Sequence, residues 1–137
     1  MLSSLFQQTT IPVLEQTVAF AQARHTVLAG NIANMDTPGY QIRDLSTEDF
    51  QNRLQAAIRQ RREPAEPASL GYVPESSTKP MAEVAKNTKT ILRHDKNNFG
   101  MEYQVAEMVK NHMMHNLALA IMTQQFRLLQ TAISGKL

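Results

Sequence analysis

Asn31-Ile32-Ala33-Asn34-Met35-Asp36-Thr37-Pro38-Gly39-Tyr40 is the stretch on which the fold turns. It stops one long amphipathic helix, and the other long helix of the chain lies at the opposite end. Pro38 excludes Thr37 from the α region, so the helix must finish before it. Pro38 and Gly39 suit the two central positions of a type II turn, with Gly at positive φ. Asn34 and Asp36 can bond the carbonyls left without partners at the helix end. Tyr40 adds an aromatic with a polar tip, suited to an edge or an interface. The motif residues are therefore Asn31, Asn34, Thr37, Pro38, Gly39 and Tyr40.

Working outward, the spacing predicts a helix from about Ile11 to Asn34. Ile11, Leu14, Val18, Ala21, His25, Leu28 and Ile32 recur in steps of three and four, as in a coiled-coil seam. Pro12 sits near the start, where a missing N–H costs little. Ala19, Ala23, Ala29 and Ala33 favour the helix, whereas Gly30 disfavours it. Gly30 marks either a slack last turn or the close approach of another backbone.

A second long helix is predicted from Met101 to about Ser134, with Gly135 as its left-handed end. Asn97 or Asn98 is the expected cap, with Glu102 in the first turn. Its seam is Met101, Val105, Met108, His112, His115, Leu119, Met122, Phe126, Leu129 and Ile133, again in alternating steps. Met114, Leu117, Ile121, Leu128 and Ala132 form a second stripe. A helix that is apolar on two faces has more than one neighbour.

Between them, a shorter helix is predicted over 46–62. Ser46 or Thr47 caps it, Phe50, Leu54 and Ile58 form its stripe, and Arg59, Arg61 and Arg62 complement its C-terminal end. From Glu63 to Lys89 the prolines 64, 67, 74 and 80 predict a loop or partly disordered insert. Short extended pieces at 70–73 and 90–92 are expected to pair weakly. The fold class is therefore mainly α. Residues 1–45 and 95–137 form one coiled-coil domain of paired terminal helices, 46–62 a short helix, and 63–94 a loop or flexible insert.

Composition narrows the functions. A chain of 137 residues with a net charge of +2 is one domain with no marked pull toward nucleic acid. It has no Cys, which excludes disulfides and thiolate chemistry. No apolar run is long enough to span a bilayer. The first residues lack a basic stretch and a continuous apolar stretch, so no cleavable signal peptide is expected. No nucleophile elbow, phosphate loop or dinucleotide-binding glycine pattern occurs. His112 and His115 have a spacing that could place two imidazoles on one metal ion, but no carboxylate or third His joins them. They read better as packed seam residues. No enzyme activity, cofactor, metal, nucleic acid or small-molecule substrate is expected.

The quoted run, extended to Leu28-Ala29-Gly30, resembles the signature of the bacterial flagellar rod, hook and related axial proteins. Asp95-Lys96-Asn97-Asn98-Phe99-Gly100-Met101-Glu102 is similar to the stretch before the last helix of a short proximal-rod member. Here Phe99-Gly100 replaces the usual Val-Asp. The resemblance covers about 11–45 and 90–135. It implies a structural subunit of the proximal rod of the flagellar basal body, exported by the type III apparatus without a cleavable signal. The subunit would polymerise through its terminal helices into a hollow periplasmic rod. Implied partners are other copies, other rod subunits, the adaptor at the membrane ring and export gate, and the export apparatus. Another short rod subunit is the alternative. The resemblance makes Ile11, Leu14, Val18, Leu28, Ile32, Met101, Val105, Met108, Leu119, Met122, Phe126, Leu129 and Ile133 the expected assembly seam.

Overall fold

The computed structural model describes residues 9–62, 81, 83–92 and 100–135. Their order is α1 (Ile11–Ala33), β1 (Arg43–Leu45), α2 (Thr47–Arg62), β2 (Thr90–Leu92) and α3 (Met101–Ser134). The fold is mainly helical, with long helices near both ends, as the apolar spacing predicts.

Each boundary has a local cause. Pro12 lies in the first turn of α1, which needs no N–H there. At the other end the Asn34 backbone N–H and side chain both donate to the Gly30 carbonyl, at 3.1 and 2.8 Å. The Tyr40 N–H donates to the Thr37 carbonyl at 3.1 Å, and Gly39 has φ of 78°, which places the turn as predicted. Ser46 caps α2 by accepting from the Asp49 N–H at 3.0 Å. Gly135 closes α3 in the left-handed region, at φ of 60°. The N-cap of α3 is Gly100, without a side-chain bond, in place of the expected Asn. Asn97 and Asn98, like the 70–73 piece, lie outside the described residues.

Helix α1 is central. At 1.5 Å per residue it is about 34 Å long and α3 about 51 Å. α3 runs antiparallel to it: Asn31 meets Gln104, Arg24 meets Glu107, and Ala21 meets Asn111. α2 lies against another side of α1, also antiparallel. Phe20 stacks on Phe50 with centroids 4.1 Å apart, and Arg61 donates to the Thr9 carbonyl at 2.8 Å.

The main apolar cluster lies between α1, α2 and the described part of the insert, while Ala21 and Leu28 on α1 and Ala118 on α3 are buried outside it. The cluster consists of Phe20, Phe50, Ala57, Met81, Val84 and Ala85, flanked by Val13, Leu45, Leu54, Ile58 and Met114. The Ala85 N–H donates to the buried Gln16 side chain, which fixes Ala85 onto α1. Thus part of the Pro-rich stretch, read from its composition as loose, contributes core residues. β2 pairs antiparallel with β1 in the register Arg43↔Leu92, Asp44↔Ile91, Leu45↔Thr90. The strand at 90–92 is predicted; its partner at 43–45 is not.

Candidate assembly surface

The motif residues face inward or close a turn. Asn31 is wholly buried at 0% exposure and makes four hydrogen bonds within the chain. Its Nδ2 donates to the Arg43 carbonyl at 2.6 Å and to Gln104 Oε1 at 3.2 Å. Its Oδ1 accepts from the Arg43 N–H and the Tyr40 hydroxyl, each at 3.2 Å. One side chain therefore joins α1, the turn, β1 and α3. Tyr40, read as an edge or interface aromatic, reaches back to Asn31 while the residue remains 36% exposed. Asn34 serves the helix end, and Thr37, Pro38 and Gly39 are exposed turn residues. A Cβ at Gly30 would meet nothing within 4 Å, so among the described residues no other segment's backbone approaches it closely.

Beside Asn31 lies a buried ion cluster. Arg24 donates to Asp44 from Nε at 2.9 Å and from Nη2 at 2.8 Å, and to Glu107 at 2.8 Å. Glu107 also accepts from Lys110 at 2.7 Å. The hydrogen bonds to Asp44 first, and then those to Glu107, hold the Arg24 guanidinium more firmly charged against the cost of burial. Lys110 and then Arg24 hold the Glu107 carboxyl below its ordinary range. On α2, the Lys89 backbone N–H and then Arg53 do the same for Asp49. These charges join elements; their acidic and basic groups are already paired with one another.

The expected seam divides. On α1, Ile11 and Leu28 are buried, Leu14, Val18 and Ile32 are half-buried, and His25 is exposed. On α3, Met108, His115, Met122 and Leu129 are half-buried, while Met101, Val105, His112, Leu119, Phe126 and Ile133 are exposed. The residues buried on α3 are Gln104, Asn111 and Ala118. The face of α3 toward α1 is thus turned by roughly 50° from the apolar seam, about half a residue step on a 3.6-residue helix. The cause is polar: Gln104, Glu107 and Asn111 all bond to α1.

What remains outside is a large apolar surface. Met101, Val105, Val109, Met113, Leu117 and Ile121, each four residues from the last, form an exposed ridge along α3. Of the second stripe, Leu117, Ile121, Leu128 and Ala132 are exposed, whereas Met114 packs beside the Phe20 core. Near the end of α3 a shallow apolar depression is lined by Phe126, Leu129, Gln130, Ile133 and Ser134. The polar positions that set this geometry, Gln104 and Glu107 above all, escape a reading that counts only apolar spacing. Seven-residue recurrence at Gln104, Asn111 and Ala118 is the signal that could have found Gln104; nothing in the spacing marks Glu107.

His112 and His115 have ring centroids 6.5 Å apart, and His112 is exposed. Among the described residues no group of three or more His, Asp or Glu is placed to hold a metal ion. No described helix is long and apolar enough to cross a membrane.

Comparison with known proteins agrees with this geometry. Residues 13–41, which hold most of α1 and the Asn31 turn, match the family described as flagella basal body rod protein. The chain is similar to the flagellar basal body rod protein FlgB of Escherichia coli, with 29% identity over 110 residues, covering 76% of this chain and 78% of that protein. It is also similar to FlgB of Bacillus subtilis, with 28% identity over 126 residues, covering 92% and 94%. These matches cover most of the chain and support its reading as a flagellar basal-body rod protein.

Proposed function

We propose that this rod protein builds the proximal rod of the flagellar basal body by placing the exposed apolar face of α3 against neighbouring subunits. It is a structural protein and not an enzyme. The observation that carries the assembly reading is the Met101-to-Ile121 ridge with the depression at Phe126, Leu129 and Ile133, which a lone chain leaves in water. Covering it is favourable at roughly 25 cal/mol per Å² of apolar area. In this reading residues 1–45 and 95–137 act as one assembly domain. Neighbours are other copies and other rod subunits, with the membrane-ring adaptor and export gate at the base. The contacts are head-to-tail and need not close, which is what a tube requires. The chain reaches the periplasm through the flagellar type III apparatus and keeps its N-terminus.

Because the chain has no Cys, single cysteines are unambiguous reporters. With Cys at Met113 or Leu117, cross-linking in isolated basal bodies is expected to join this chain to other rod subunits. Absence of cross-links from both positions in assembled basal bodies would refute the ridge as the contact. The intact mass of rod-incorporated protein tests export without cleavage.

A further inference from the structure

Helix α3 does not turn its most apolar face toward α1. Gln104, Asn111 and Ala118 are buried there, while Val105 and Leu119, one residue further on, are 43% and 37% exposed. Hydrophobic burial alone favours the opposite choice. Rotating α3 to bring Val105, Leu119 and Phe126 inward would complete an apolar seam with Met108, Met122 and Leu129.

Three contacts oppose that rotation. Gln104 Oε1 accepts from Asn31, Glu107 accepts from Arg24, and Asn111 Nδ2 donates to the Ala21 carbonyl at 2.7 Å. Two of the α1 groups are themselves anchored, Asn31 to the Arg43 backbone and Arg24 to Asp44. Rotation would separate all three pairs and leave buried polar groups without partners, which costs more than the pairs contribute when formed. Asn111 carries a further penalty: its enclosed Oδ1 has no hydrogen-bond partner among the described residues. A polar residue in a helix seam lowers stability and fixes the arrangement.

We propose that Gln104, Glu107 and Asn111 are the residues that select which face of α3 the folded subunit presents. They hold Val105, Leu119 and Phe126 outward, where neighbouring subunits cover them. The selection itself stands on the geometry of the single chain; its purpose rests on the assembly reading above.

Single cysteines at Val105 and Ala118 test the selection by thiol labelling of the purified chain. In the native background Val105→Cys should label at least about tenfold faster than Ala118→Cys, since protection follows burial. In the Gln104→Leu/Glu107→Leu/Asn111→Leu background that ratio should fall to near one or invert, while helicity and a cooperative melt persist. A folded triple variant that keeps the native ratio overturns the proposal. So does a triple variant that loses cooperative folding, because the rotated packing is then no alternative. Asn111→Leu alone gives a second test, and its labelling ratio should shift in the same direction; an unchanged ratio also counts against the proposal. Incorporation into basal bodies is scored separately. A rotated variant that still builds normal rods leaves the selection standing and sinks the reading that Val105, Leu119 and Phe126 are covered in the rod.

Discussion

Asn31 shows how much a single amide can hold. Both ends of its side chain are committed, two donations on one side and two acceptances on the other. Asn31→Ala should cost about 2–3 kcal/mol, because it strands buried partners on β1 and α3. Asn31→Asp should cost more than Ala, since a carboxylate oxygen would then face the Arg43 carbonyl and Gln104 Oε1. Urea denaturation of the purified variants checks both the loss and the order. Glu107 predicts a pH dependence. Its folded pKa lies below its ordinary value of 4.5, so it binds its proton more readily in the unfolded chain. The stability it contributes is complete above that value and is lost as pH falls through the lower folded value. Glu107→Gln should flatten the acid limb of a stability-against-pH curve, and an unchanged limb would contradict this assignment.

Among the elements, ends were easier to read than sides. Ser46, Gly39 and Gly135 act on backbone groups a few residues away, so their chemistry is complete in the local sequence. The rotation of α3 is not local. Apolar spacing points to Val105, Leu119 and Phe126, but the choice is made by Gln104, Glu107 and Asn111 against partners on α1, 73 to 90 residues away along the chain. Strand β1 was equally hidden, since Arg43-Asp44-Leu45 has no β-branched residue and is held by Asn31 and by pairing with Thr90–Leu92. Met81, Val84 and Ala85 follow a stretch rich in prolines, whose composition hides three core residues. Within α1, Gly30 has open space around it, so Gly30→Ala should stabilise the free chain by about 0.5–1 kcal/mol. Thermal melts measure that gain. If a neighbour's backbone packs against Gly30 in the rod, the same variant will be more stable and yet excluded from basal bodies.

For the molecule as a whole, the same chemistry has opposite meanings on the two long helices. Leu28 is 1% exposed and Leu117 is 62% exposed. Leu28→Asp should lower folding stability by several kcal/mol, about 4 or more for an unpaired buried charge. Leu117→Asp should leave the melting temperature of the free chain nearly unchanged and block rod incorporation. Circular dichroism and basal-body immunoblotting separate the two outcomes. Normal rods with Leu117→Asp would mean that the exposed face is not the contact.

The ridge from Met101 to Ile121 also has a direction. Four residues make slightly more than one turn, so each step advances about 40° and the whole ridge winds through about 200° of the helix circumference. No single straight helix laid alongside can cover it from end to end. One subunit can shield the Met101 end while another, approaching from the far side, shields Leu117 and Ile121. Such a winding strip favours neighbours on successive sides over a closed pair, as in the wall of a tube.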